Sequence, residues 1–419
     1  MLYLLHYLKY SDEFFDIRDF FLKIKNVLGF LFLLFFISGC ARIERLNFAM
    51  SLFSGKEQYQ NFHRIDEILP VKRLSPSDSP LIFDRAQSIK LPSSFSFNNQ
   101  KIETEDFLFR TDTSALLIIK GGKIVYENYW LTGGKDKKWI SFSMAKSFVS
   151  ALIGIANNQG YIKNVKDPIT DYVPKLKGSA YDNVRIKDIL QMSSGASWNE
   201  DYSDNFSDIN RVGRIFAIGG SLDKIAMGLR NDKTPGTYNS YNSIDTQVLG
   251  MLLRESTNKS ITEFMIEVLW NPIGAEHDGF WVVDSNNMEL AFGGFNATAR
   301  DYAKLGELYR QGGKLNGNQI VPAKWVKDSI TPDAPHLMPG NQPQSGNDRG
   351  YGYQWWLPDL ESGDFMAIGV YNQFIYVAPQ AEKVIVKLSA NSLFGTSAEA
   401  NAKSVAESIS FFKSVTMDK

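Results

Sequence analysis

Ser143 and Lys146 stand three positions apart in Ser143-Met144-Ala145-Lys146. On a helix this spacing places both side chains on one face, one turn apart. A neutral amine there can take the hydroxyl proton and turn the serine into a nucleophile. An unperturbed lysine titrates near 10.4, so neutrality at pH 7 requires about 4 kcal/mol from burial and neighbouring charge. The same S-x-x-K spacing recurs at Ser221–Lys224, Ser256–Lys259 and Ser410–Lys413. Context separates the four. Ser256 lies in the polar run ESTNKS, Ser221 follows Gly219-Gly220, and Ser410 sits near the C-terminus among polar groups. Only Ser143 opens a run, SMAKSFVSALIGIAN to Asn157, that is apolar nearly all round and therefore predicts a buried helix. The amides and positive dipole end of that helix can stabilise an oxyanion. The blander reading is a helix-start serine beside a snorkelling lysine. Other hydrolase and nucleotide signatures, G-x-S-x-G, the P-loop and the dinucleotide fingerprint, do not occur.

The elements that must hold this pair are legible in outline. Residues 116–120 (LLIIK) and 123–129 (KIVYENY) flank Gly121-Gly122 and predict a hairpin. Residues 160–290 are mixed, with short helical stretches and many Ser, Asn, Asp and Gly. Thr298-Ala299-Arg300-Asp301 resembles a capping box with Asp for Glu and opens a helix through Tyr309 that Gly312-Gly313 ends. Strand-like runs follow at 364–369, 373–378 and 383–389, then a helical pattern from Thr396 to Phe412. Strands toward both chain ends with helices between predict an α/β (α+β) fold. A central antiparallel sheet, completed by both ends of the chain, is flanked by helices and interrupted by a mostly helical insertion. The expected boundaries are 81–160 with 290–419 for the sheet domain and 161–289 for the insertion.

The chain has 419 residues, 44% hydrophobic and 22% charged, which excludes wholesale disorder, collagen and coiled coil. Lys+Arg is 45 against Asp+Glu 46, so there is no basic excess to serve a nucleic acid. The four histidines lack metal-ligand spacing, and no metal or organic cofactor is expected. Residues 27–37 (VLGFLFLLFFI) fit a signal h-region better than a membrane span, with Lys23 and Lys25 in front. The single cysteine follows in Ile37-Ser38-Gly39-Cys40, which looks like a bacterial lipobox. Residues 1–40 are thus expected to be a lipoprotein signal or anchor with Cys40 lipidated. The expected location is the bacterial cell envelope, facing the periplasm or exterior. Residues 41–80 are polar, end in SPSDSP and read as a tether.

Around Ser143 the run Trp139-Ile140-Ser141-Phe142-Ser143-Met144-Ala145-Lys146-Ser147-Phe148 resembles the nucleophile segment of the serine β-lactamase-like hydrolases, of the class C β-lactamase and D-alanyl-D-alanine carboxypeptidase type. The resemblance continues in order. Asp188 to Gly195 resembles an LL-x-M-x-SG segment, and Pro235-Gly236-Thr237 through Tyr241-Asn242-Ser243 to Gly250 a PG…Y-x-N…LLG segment. Gly293-Gly294 with Thr298–Gly306 resembles the family's late helix, and Tyr351–Trp356 with Gly369–Pro379 its closing strands. The match covers about residues 110–412. It implies a fold with a sheet domain and a helical domain and the site between them. It implies Ser143 as nucleophile, Lys146 and Tyr241 as the proton-moving pair, and the backbone amides of Ser143 and Val370 as the oxyanion hole.

Position 367 is alanine where the family's third motif usually begins with Lys or His. The cation for a substrate carboxylate is therefore missing, which argues against efficient penicillin or D-Ala-D-Ala turnover. Tyr241-Asn242-Ser243 with Gly369-Val370-Tyr371-Asn372-Gln373 looks most like the 6-aminohexanoate-dimer hydrolase and esterase branch. The reading is then a hydrolase of a small ester, amide or peptide through an acyl-serine, with Ser243, Gly369, Tyr371, Asn372 and Gln373 as substrate contacts. Asn372 and Gln373 could equally satisfy backbone groups in a turn. The alternatives are a β-lactamase or D-alanyl-D-alanine carboxypeptidase, and a non-catalytic envelope binding protein on the same fold. Trp139, Trp198, Trp355 and Trp356 could line the cleft but fit core positions better. Asp245 fits a helix N-terminal charge better than a substrate contact.

Overall fold

The computed structural model describes residues 58–417. The apolar run at 27–37 and the expected lipidation site Cys40 lie outside the described residues. The described residues belong to one compact unit.

The main sheet has seven strands. In chain order these are β1 (Thr113–Lys120), β2 (Lys123–Tyr129), β3 (Gly350–Tyr351), β4 (Trp356–Leu357), β5 (Phe365–Gly369), β6 (Gln373–Ala378) and β7 (Lys383–Ser389). Their spatial order is β3-β4-β5-β6-β7-β1-β2, antiparallel throughout. The hairpin β1–β2 closes on Gly121 and Gly122, both at positive φ, which matches the right-handed twist of the strands. β1 joins β7 in register from Lys120↔Lys383 to Leu388↔Ala115, so the two halves of the sheet come from distant parts of the chain.

Helices cover both faces, so the inner strands bury every residue rather than every second one. Leu116, Ile118, Phe374, Tyr376 and Ile385 share one core cluster with Phe411 and Phe412 of the C-terminal helix α4 (Ala398–Met417). Each such buried side chain contributes about 1.5–3 kcal/mol. The opposite face meets the helix α3 (Ala299–Arg310), which presents Gly306 to Val384 and Ile375; a Cβ there would lie 2.6 Å from the Val384 side chain. Thr298 caps α3, accepting from the Asp301 N–H at 3.2 Å and donating to its carboxylate at 2.7 Å.

The helix α1 (Ala145–Asn158) is buried from Ala145 through Ala156, as its apolar run predicts. It packs against α2 (Ser243–Thr257), whose start is capped by Asn242. Shorter helices at Ile186–Leu190, Asp208–Ala217, Leu222–Gly228 and Ile261–Met265 fill the central segment.

Two expectations change. Part of the expected tether is folded: residues 58–74 carry two short 3-10 turns and the strand Val71–Leu74. That strand pairs with Gly279–Val282, which pairs with Phe295–Ala297 and through it with Trp139–Ile140. Phe62 and Ile65 are fully buried, so this polar-looking stretch is anchored by a few apolar side chains. The expected helical insertion, 161–289, is helical only as far as Trp270, because Gly279 begins a strand of this second sheet.

Candidate active site

Ser143 lies in a 3-10 turn, Phe142–Met144, that leads directly into α1. The preceding Phe142 has φ 45°, a left-handed conformation that a bulky residue adopts only under constraint. Its ring is clamped by Phe62 at 5.2 Å and Tyr371 at 5.3 Å between centroids. The segment around Phe62 thus supports the turn that presents Ser143.

The Lys146 amine lies within hydrogen-bond distance of three oxygens, of which the Phe292 carbonyl can only accept. Its Nζ is 2.8 Å from Ser143 Oγ, 3.1 Å from Ser243 Oγ and 3.1 Å from the Phe292 carbonyl. Lys146 is 1% exposed. Burial brings its amine down to about 7, partly opposed by the charge of Glu200. The ring of Tyr241 lies 4.9 Å from the amine, and the Ser143 hydroxyl is one of the groups that act on its phenol. Burial and the Glu200 carboxylate push the Tyr241 phenol well up, so it is a neutral hydrogen-bond donor at pH 7 rather than a tyrosinate. Trp356 stacks on Tyr241 at 5.2 Å.

The end of β5 meets the Ser143 turn at Gly369. A Cβ on Gly369 would lie 2.3 Å from the Ser141 carbonyl, so only glycine permits this approach. Val370 follows directly in the chain, at the start of the β5–β6 turn. Serine hydroxyl, amine, phenol and backbone amides are thereby gathered from the 3-10 turn before α1, α1 itself, the loop before α2 and the β5–β6 turn. Such a cluster can move a proton off a hydroxyl and stabilise developing negative charge nearby. Among the described residues no group of His, Cys, Asp and Glu side chains could hold a metal ion.

The structure places the expected substrate contacts differently. Gln373 is fully buried; its amide nitrogen donates to the Val370, Tyr371 and Ser389 carbonyls, and its oxygen accepts from Trp139 Nε1 at 3.1 Å and the Ser389 N–H at 3.0 Å. It clips the β5–β6 turn, which demands left-handed φ at Tyr371 and Asn372. Asn372 is buried and donates to Ser404 Oγ at 2.6 Å. Tyr371 packs among Phe62, Phe142 and Phe394. Ser243 is fully buried beneath Lys146. These four support the site from behind, because each has its polar atoms or its ring engaged within the protein. Trp139 and Trp355 are core, and Asp245 is buried in the first turn of α2, where it accepts from Ser194 Oγ and Tyr181 OH.

Glu200 is the residue that sequence reading missed. Its carboxylate accepts from the Ser243 N–H at 3.0 Å, Ser243 Oγ at 2.6 Å, Tyr202 OH at 2.9 Å and Trp198 Nε1. The only signal was an acid among aromatics in Trp198-Asn199-Glu200-Asp201-Tyr202, with no spacing that ties it to Ser143.

Known proteins agree with this architecture. The chain is 29% identical over 341 residues to the 6-aminohexanoate-dimer hydrolase of Paenarthrobacter ureafaciens, covering 78% of this chain and 84% of that protein. It is 26% identical over 151 residues to a β-lactamase of Providencia stuartii, covering 36% of each chain. A Bacillus anthracis structure provisionally described as a 6-aminohexanoate-dimer hydrolase superposes with a TM-score of 0.78 at 22% identity, over 87% of this chain and 95% of that one. A family VIII carboxylesterase shares the fold with a TM-score of 0.54 at 15% identity, over 74% and 96%. A model of the Beta-lactamase family matches residues 108–408, and this chain belongs to that family of hydrolases.

Proposed function

We propose that the protein is a serine hydrolase that cleaves a small ester or linear amide through an acyl intermediate on Ser143. The observation that carries this reading is the 2.8 Å contact between Ser143 Oγ and a buried lysine amine brought down to about 7. Lys146 takes the Ser143 proton as Oγ attacks the carbonyl carbon. The amides of Ser143 and Val370 hold the oxyanion. As the tetrahedral species collapses, Tyr241 gives its proton to the leaving nitrogen or oxygen and regains one from Lys146. Water then attacks the acyl group, its proton returns through the same pair, and Ser143 is freed.

The similarity to a 6-aminohexanoate-dimer hydrolase favours linear amides with flexible apolar spacers as substrates. Ala367, on β5 where related enzymes place a cation, gives no anchor for a β-lactam carboxylate. On the sequence alone we also assign Cys40 as a lipid attachment site that holds the enzyme on the outer side of a bacterial membrane; a mass increase on the membrane-extracted chain, lost in Cys40→Ala, would establish it.

Intact-mass analysis after a fluorophosphonate or a p-nitrophenyl ester tests the hydrolase reading. A single adduct is expected on the parent and none on Ser143→Ala. No adduct on the folded parent rejects it. Release of amine from 6-aminohexanoate dimer, with nitrocefin left intact, separates the amidase from the β-lactamase alternative.

A further inference from the structure

Counting protons around Lys146 assigns a task to Glu200, on the reading that Lys146 is the base. A neutral lysine amine has two N–H bonds and one lone pair, yet Lys146 faces three oxygens. The Phe292 carbonyl can only accept. Ser243 Oγ could donate or accept, and its choice decides where the lone pair points. Its proton is engaged by Glu200 at 2.6 Å, so toward Lys146 it can only accept. Both amine hydrogens are then used, on Ser243 and Phe292, and the lone pair is left for the Ser143 hydroxyl proton. After proton uptake the ammonium has three donors for the same three oxygens. No group has to move between the two states.

We propose that Glu200 is a positioning residue that sets the direction of the hydrogen bonds from Ser243 through Lys146 to Ser143, so that the base is permanently aimed at the nucleophile. Glu200 is itself fixed. One oxygen accepts from two obligate donors, the Ser243 N–H and Trp198 Nε1, and the other from two hydroxyls, Ser243 Oγ and Tyr202 OH. The strand of contacts therefore starts at a group that cannot donate.

Glu200→Gln is diagnostic for this reason. The obligate donors hold the amide oxygen, so the amide nitrogen must face Ser243 Oγ and donate to it. Ser243 is then turned to donate toward Lys146, and the lone pair is drawn away from Ser143. The measurement is a double-mutant cycle of Glu200→Gln and Ser243→Ala, read as kcat and KM for a p-nitrophenyl ester over a pH series. Expected is a fall in kcat of about a hundredfold for Glu200→Gln with KM little changed, the scale of a lost general base. The acid limb should move to lower pH, because the charge that raises the Lys146 amine is gone. In the Ser243→Ala background, where no hydroxyl can be reversed, the same change should cost less than about tenfold. Equal losses in both backgrounds, or an unmoved acid limb, would overturn the proposal. Fluorophosphonate labelling of every variant, slow or fast, keeps the hydrolase reading separate, since absence of any adduct on the parent would reject that reading instead. Far-UV circular dichroism and the urea midpoint exclude misfolding; Glu200→Asp, which keeps an acceptor-only group, should recover part of the loss.

Discussion

On the proposed mechanism Lys146 must be neutral to take the Ser143 proton, and its amine is brought down to about 7 by burial. Below that pH the ammonium form predominates and has no lone pair. The kcat/KM of an ester substrate should therefore fall about tenfold per pH unit on the acid side, with an apparent pKa near 7. A profile flat down to pH 5 would reject Lys146 as base. Lys146→Ala should lower kcat by about 10²–10⁴, the range of a lost general base. Gly369 offers a second test at the same scale. Gly369→Ala would force a Cβ to 2.3 Å from the Ser141 carbonyl, a backbone atom that cannot swing aside. The β5 end and the Val370 N–H must then shift. We expect kcat to fall at least about a hundredfold, the size of one lost oxyanion donor, with a loss of about 1–3 kcal/mol in urea unfolding from the strain.

Two elements pack behind the candidate site. The segment around Phe62 is the first. Phe62 is fully buried, its ring against Trp139, Phe142 and Tyr371, and its carbonyl accepts from the Ile140 N–H at 3.0 Å. Phe62→Ala should cost about 3–5 kcal/mol, and it should lower kcat because Phe142 loses its clamp. Denaturant unfolding beside ester kinetics checks both. The second element is β7, which buries Lys387. Its amine is brought down to about 7 by burial, with Phe107 5.3 Å away and a hydrogen bond to Ser389 Oγ. Unfolded, the same group titrates near 10.4. Between those values the unfolded chain holds more protons, so stability rises with pH from about 7 to about 10. Lys146 contributes in the same direction. Lys387→Met should raise the urea midpoint at pH 7 and flatten that rise; a lower midpoint would show that the amine is worth more than its desolvation.

The sheet is built from residues 113–129 and 350–389, joined along β7–β1, with the whole central segment between them in the chain. Neither part can bury its faces alone, since α3 and α4 cover the sheet from opposite sides. Residues 58–74 and 279–282 tie the second sheet to the same unit. The described part should therefore unfold in one transition. Tryptophan fluorescence, reporting on buried Trp139, Trp270, Trp281 and Trp355, should give the same urea midpoint as far-UV circular dichroism. Separated midpoints would show that the helical segment folds by itself. Refolding should be slow because the sheet requires pairings between distant parts of the chain.

Local pattern determined much of this protein. The Gly121-Gly122 hairpin, the buried helix behind Ser143, the Thr298 cap and the three closing strands depend on neighbours within a few residues, and the sequence states them. The choice of Ser143 among four S-x-x-K matches also came from local context. The polar stretch at 58–74 misled because a few apolar side chains, Phe62 and Ile65 among them, suffice to anchor it, and composition averages them away. Asn372, Gln373 and Ser243 have side chains equally suited to a substrate or to the protein's own groups; in the packed turn and helix they meet Ser404, the turn carbonyls and Lys146. Glu200 is the clearest case. The role proposed for it depends on a hydroxyl 43 positions away and an amine 54 positions away, brought together by two helices and a loop. Side-chain chemistry is written in the residue, but hydrogen-bond direction and the burial that moves a lysine to neutrality belong to neighbours in space, and those the tertiary structure decided.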